Sequence, residues 1–154
     1  MTIDDVTMRI MQHAASGYCC SQIIMLFALE AQGRENPALV RAMSGACHGL
    51  GDCSGPCGAL TAAVCVLGLY AGKGDDTEEA HERFPLMRSE IIEWFQSEIG
   101  GQYGGTRCLD ILGDKECGSP NPERCPGVVA ATWGKCLEIL VENGLDPSSP
   151  KEEQ

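Results

Sequence analysis

Cys20, Cys57, Cys108 and Cys125 each stand at or just before the start of an apolar run with helical spacing, in a chain holding 10 cysteines among 154 residues. A helix start presents free N–H groups and roughly half a positive charge, which stabilises a thiolate and lowers its pKa. If the four starts converge, four thiolates gather with backbone N–H groups aimed at the sulfurs, about 7 Å apart around an inorganic centre. That donor set suits a metal or an iron–sulfur cluster of [2Fe–2S] or [4Fe–4S] type serving electron transfer. A pair drawn from the same four suits a cofactor-free dithiol/disulfide oxidoreductase, and zinc held for stability alone is a third reading.

The other six cysteines divide by setting. Cys47, Cys53 and Cys117 lie in glycine-rich loops, where packing explains them poorly, so they are candidate additions to the metal centre. Cys65 falls two helical turns after Cys57, ~12 Å along the axis, and reads as core. Cys136, beside Leu137 and Leu140, reads the same way. Cys19 would point about 100° away from Cys20 on a helix, so it packs against the site or guards it. Gly17, Gly55 and Gly58 would let the backbone approach the centre closely. His48 reads as an ordinary loop histidine, and His13 and His81 have no partner visible in sequence. C-x-x-C pairs, haem attachment, GxGxxG and P-loop frames do not occur.

The elements that must position these thiols read as helices throughout. Thr2 to Asp5 forms a capping-box start to a helix ending at Gly17, and a second helix covers 19–32 before Gly33. Asn36-Pro37 opens a short helix to Met43. "SGACHGLGDCSGP" is a loop leading to an uncharged helix over 57–70, too short for the ~20 residues of a membrane span and therefore buried. A long helix is expected from Asp76 or Thr77 to Ile99, with "DDTEEAHE" as its solvated first turn and Pro85 kinking or splitting it. After the loop "GGQYGG", Thr106 caps a short helix carrying Cys108, and Pro126 opens the last helix, which stops at Gly144. The expected fold is all-α: a compact single-domain bundle of about six helices around the buried helix 57–70. Residues 1–145 form one cysteine-rich redox domain, and 146–154 a disordered acidic tail.

Charge narrows the partners. With 11 basic and 22 acidic residues the formal charge is −11, which repels phosphate backbones and favours a redox partner with a basic surface. A chain of this length buries enough surface to fold without disulfides. Its start, "MTIDDVTMRI", is unlike a secretory signal, which places the chain in a reducing cytoplasm, where cysteine-rich patterns mean metal binding or redox chemistry more than staples.

Four segments in order, "GYCCSQ", "CGALTA", "RCLDILG" and "RCPGVVAA", resemble the redox-active family named for its C_GCAxxG_C_C pattern. The resemblance runs from residue 17 to about 143. It puts the family's four cysteines on Cys20, Cys57, Cys108 and Cys125 and implies redox chemistry or cluster binding. One position departs: Ala62 stands where the motif ends in glycine, which adds a methyl group and gains helix propensity.

Overall fold

The computed structural model describes residues 2–154. Seven helices form the body: α1 (Ile3–Ala15), α2 (Cys20–Ala31), α3 (Pro37–Met43), α4 (Gly58–Ala71), α5 (Phe84–Tyr103), α6 (Cys108–Leu112) and α7 (Cys125–Glu142). No strand is formed among the described residues; the sole β-type pairing is an isolated bridge between Pro56 and Arg107. The all-α expectation holds.

A helix with no charged residue must be buried over most of its surface, and α4 is, apart from a strip at Cys65. Ala59, Ala62, Ala63, Val66, Leu67 and Ala71 are buried along it, and α2, α5 and α7 pack around it. Burying one side chain of Leu67's size stabilises by about 2 kcal/mol, so this helix is the fold's apolar spine. None of the helices among the described residues is long and apolar enough to cross a membrane.

Most expected helix signals act as read. Thr2 and Asp5 cap α1 reciprocally, and the Asn36 side chain accepts the Leu39 N–H at 3.1 Å. Three expectations fail. Pro85 does not interrupt a helix; it stands in the first turn of α5, where its missing N–H is no loss. The acidic run therefore lies outside the helix, in turns held by Asp75, which accepts from Thr77 N at 2.7 Å. At its other end α5 continues through Gly100 and Gly101 and stops at Gly104, whose φ of 82° terminates it.

Tyr70 donates its hydroxyl to the Pro147 carbonyl at 2.7 Å, and Lys151 reaches the carbonyls of Gly72 and Glu79. Pro147 and Lys151 thus tie the segment after α7 to the end of α4 and the turns beyond it. Partners invisible in sequence also emerge for two histidines. His13 Nε2 lies 3.0 Å from Glu30 Oε1, and His81 Nδ1 accepts the Arg83 N–H at 3.1 Å.

Candidate functional site

Cys20 is the first residue of α2, Cys57 the residue capping the start of α4, Cys108 the first of α6 and Cys125 the first of α7. Sequence and local geometry agree on these four positions. The four also act on one another: Cys125 bears most strongly on the ionisation of Cys20, and the charges of Cys57 and Cys108 reach it as well, which places the four cysteines in one neighbourhood of the fold.

Backbone bonds hold this meeting point. The Cys57 N–H donates to the Thr106 carbonyl at 2.8 Å, and the Cys108 N–H to the Gly55 carbonyl at 3.0 Å. Thr106 therefore serves through its carbonyl; the cap of α6 is Arg107 with Asp110, which accepts the Arg107 N–H at 3.1 Å. Gly58 lets α4 approach α2, since a Cβ there would meet Ala46 O at 3.1 Å and Ser21 N at 3.3 Å. Gly55 serves likewise against Gly49 O, at 2.7 Å. Gly17 has open space around it and serves a turn at φ 96°, so its expected role at the centre falls away.

The electrostatics divide the four sulfurs. Cys125 is lowered to about 6, first by the hydrogen bond from Cys20 and further by the Asn121 backbone and the Arg124 guanidinium, against the cost of burial. Cys20 is correspondingly pushed well above the ordinary thiol value by the same contact, then by burial. Burial lifts Cys57 to about 12, although the backbone N–H groups of Ala59 and Leu60 pull the other way. Cys108 rises by burial and by the charge of Cys125. The helix-start argument thus succeeds for position, but not for ionisation: Cys125 is lowered by Cys20, the Asn121 backbone and Arg124 rather than by the N–H groups of α7. Cys20 is raised first by Cys125 and then by burial, and for Cys57 and Cys108 loss of water outweighs the helix terminus.

Cys47, Cys53 and Cys117 do not join the four as thiols. Cys19 is bonded to Cys47 and Cys53 to Cys117, with Cα atoms 5.8 and 5.9 Å apart. A disulfide sulfur offers no thiolate, so in this form the three are not metal ligands. Nor do all ten cysteines stand as thiols, as a reducing compartment would have them. Cys65 is exposed on α4, contrary to its reading as core, whereas Cys136 is fully buried with its sulfur 3.9 Å from the Ala63 carbonyl. No group of three or more His, Cys, Asp or Glu among the described residues is placed to hold a metal ion.

Sequence reasoning missed three residues that shape the site. Ser21 is fully buried, donates to the Met43 carbonyl at 2.7 Å and lies 3.1 Å from the Cys19 sulfur. Asn121 is buried before α7 and donates to the Leu112 carbonyl at 3.2 Å. Arg124 lies over the Tyr103 ring at 4.9 Å, beside Cys125. Adjacency in sequence, of Arg124 to Cys125 and of Ser21 to Cys20, was a usable signal; Asn121 had none.

Four cysteines from four helix starts, in this order along the chain, are the arrangement that decides the kinship. The family model described as "Putative redox-active protein (C_GCAxxG_C_C)" matches residues 18–139. The chain belongs to the C_GCAxxG_C_C family. No curated protein and no solved structure matches it. Ala62, at the position of the C_GCAxxG_C_C motif's last glycine, is fully buried on α4, so its added methyl is housed in the core.

Proposed function

We propose that this C_GCAxxG_C_C protein is a redox protein whose Cys20, Cys57, Cys108 and Cys125 hold an iron–sulfur cluster. The observation that carries the reading is that four cysteines stand at four separate helix starts, in one neighbourhood where their charges act on one another. A dithiol couple needs only two sulfurs. The donor set fits, because all-cysteine ligation is the usual provision for [2Fe–2S] and [4Fe–4S] centres. When bound, the cluster supplies one-electron chemistry. The chain contributes the thiolates, the N–H groups of Ala59 and Leu60 near Cys57, and the Arg124 charge beside Cys125. Its net charge of −11 favours an electron partner with a basic surface.

The contact between Cys20 and Cys125 supports a second reading, dithiol–disulfide exchange. The Cys125 thiolate would attack a substrate disulfide, and Cys20 would resolve the mixed disulfide, leaving Cys20–Cys125 oxidised and the substrate as two thiols. Anaerobic purification separates the two. The cluster reading expects brown protein with iron and acid-labile sulfide. Colourless protein after a reconstitution that succeeds on a control ferredoxin sinks it, and a reversible two-electron thiol couple in that sample installs the second.

A further inference from the structure

Residues 44–57 form a strap that carries one half of each disulfide. Cys47 ties it to Cys19, next to Cys20, and Cys53 ties it to Cys117, in the loop between α6 and α7. The strap does not hold its own shape cheaply. His48, Leu50 and Cys53 have φ of 55°, 63° and 65°, a left-handed conformation that strains a residue carrying a side chain. Hydrogen bonds to α6 help to fix it: Leu109 N donates to Cys53 O at 2.9 Å and Cys108 N to Gly55 O at 3.0 Å. The same bonds seat Cys108, and the strap's last residue is Cys57. Whatever holds the strap therefore holds two of the four thiols.

The two disulfides differ in access. Cys19 and Cys47 are half-buried, with Ser21 between their sulfurs and the Met43 carbonyl. Cys117 is exposed on its loop, while its partner Cys53 is fully buried. A reductant can reach the second bond from the Cys117 side.

We propose that the Cys53–Cys117 disulfide is a redox latch, whose reduction by a dithiol partner frees the strap and opens Cys57 and Cys108. The proposal rests on the four-thiol centre being the site of action. A thiolate of the reductant attacks Cys117 Sγ; the S–S bond breaks, and Cys53 leaves as a thiolate and takes a proton. The reductant's second thiol then attacks its own sulfur in the mixed disulfide, releasing Cys117 as a thiol. Two electrons and two protons pass from the dithiol, which ends as a disulfide.

The test is a dithiothreitol titration of the full chain, cleared of iron with a chelator, with N-ethylmaleimide labelling read by peptide mass. Cys53 and Cys117 should become labelled at lower reductant than Cys19 and Cys47. Over that step, labelling of Cys57 and Cys108 should rise about tenfold, as expected for a local opening, while buried Cys136 stays unlabelled. A Cys53→Ser/Cys117→Ser variant should show the fast labelling without reductant; should it not fold, the titration of the natural chain decides alone. The latch is overturned if Cys57 and Cys108 label equally fast with the bond closed and open. It is overturned equally if Cys136 is labelled alongside them, or if Cys53 and Cys117 react before any reductant is added. Iron and sulfide measured before chelation keep the questions apart: a chain that stays iron-free after a reconstitution that succeeds on a control ferredoxin, with gated labelling, sinks the cluster and retains the latch.

Discussion

Cys20 and Cys125, the first residues of α2 and α7, bias each other's ionisation in opposite directions: Cys125 falls to about 6 while Cys20 climbs well above 9.0. Cys125 is thereby inclined to ionise and Cys20 to keep its proton. Either redox reading uses this asymmetry, as a ready ligand or as a ready nucleophile.

Alkylation of Cys125 should therefore reach half its maximal rate near pH 6 in the metal-free chain. Cys20→Ala removes the largest cause of the lowering and should move the midpoint upward, toward 9.0, with Arg124 and Asn121 still acting. Iodoacetamide rates between pH 5 and 10, range set by the ordinary thiol near 8.5, measure it. An unmoved midpoint in the variant would place the cause elsewhere.

Stability should follow the same pair. The folded pKa of Cys125 lies below its unfolded value of 9.0, so its contribution is full above pH 9.0 and is lost as pH falls through about 6. Cys57, raised to about 12, has the opposite sign: its contribution is full below 9.0 and fades as pH climbs toward 12. Urea midpoints of the natural chain minus those of Cys125→Ala should grow from pH 6 to 9. A flat difference means that Cys125 has no lowered pKa in the folded chain.

Helix existence and the four thiol positions were legible because both rest on local signals: uncharged or amphipathic spacing, caps, and prolines at helix starts. Pro85 was misread because the same residue either breaks a helix or begins one, and only the packing of residues 77–83 tells which. The disulfide pairs were not legible. Cys53 and Cys117 are 64 residues apart, and connectivity depends on loop placement that spacing does not encode. Cys65 shows the limit of composition: on a helix buried nearly all round, one face still meets solvent, and hydropathy alone does not say which.

That exposed face gives a third expectation. Cys65→Ser should change stability by no more than about 0.5 kcal/mol, as for an ordinary surface site. Cys136→Ala, at a fully buried position, should cost about 1 kcal/mol or somewhat more through lost packing. Neither should alter iron content after reconstitution. Urea unfolding and iron assay check both, and loss of iron on either change would mean the centre extends beyond the four thiols.

The strap's fit against α6 gives the last. A Cβ on Gly49 would stand 2.7 Å from Cys108 Cβ and 2.7 Å from the Gly55 carbonyl that accepts the Cys108 N–H, at a backbone φ of 54°. Gly49→Ala must therefore displace either Cys108 or its hydrogen-bond acceptor. Gly51 supplies the control: its φ is 102°, and nothing lies within 4 Å of an added Cβ. Both substitutions strain the backbone, by about 1 kcal/mol or more. Gly49→Ala adds an overpacking cost of about 1–3 kcal/mol, borne at the seat of Cys108. The expected result is that Gly51→Ala retains iron binding at reduced stability, whereas Gly49→Ala loses most of its iron and exposes Cys108 to maleimide. Equal iron content in the two variants would show that the contact between strap and α6 is not what positions Cys108 for the centre.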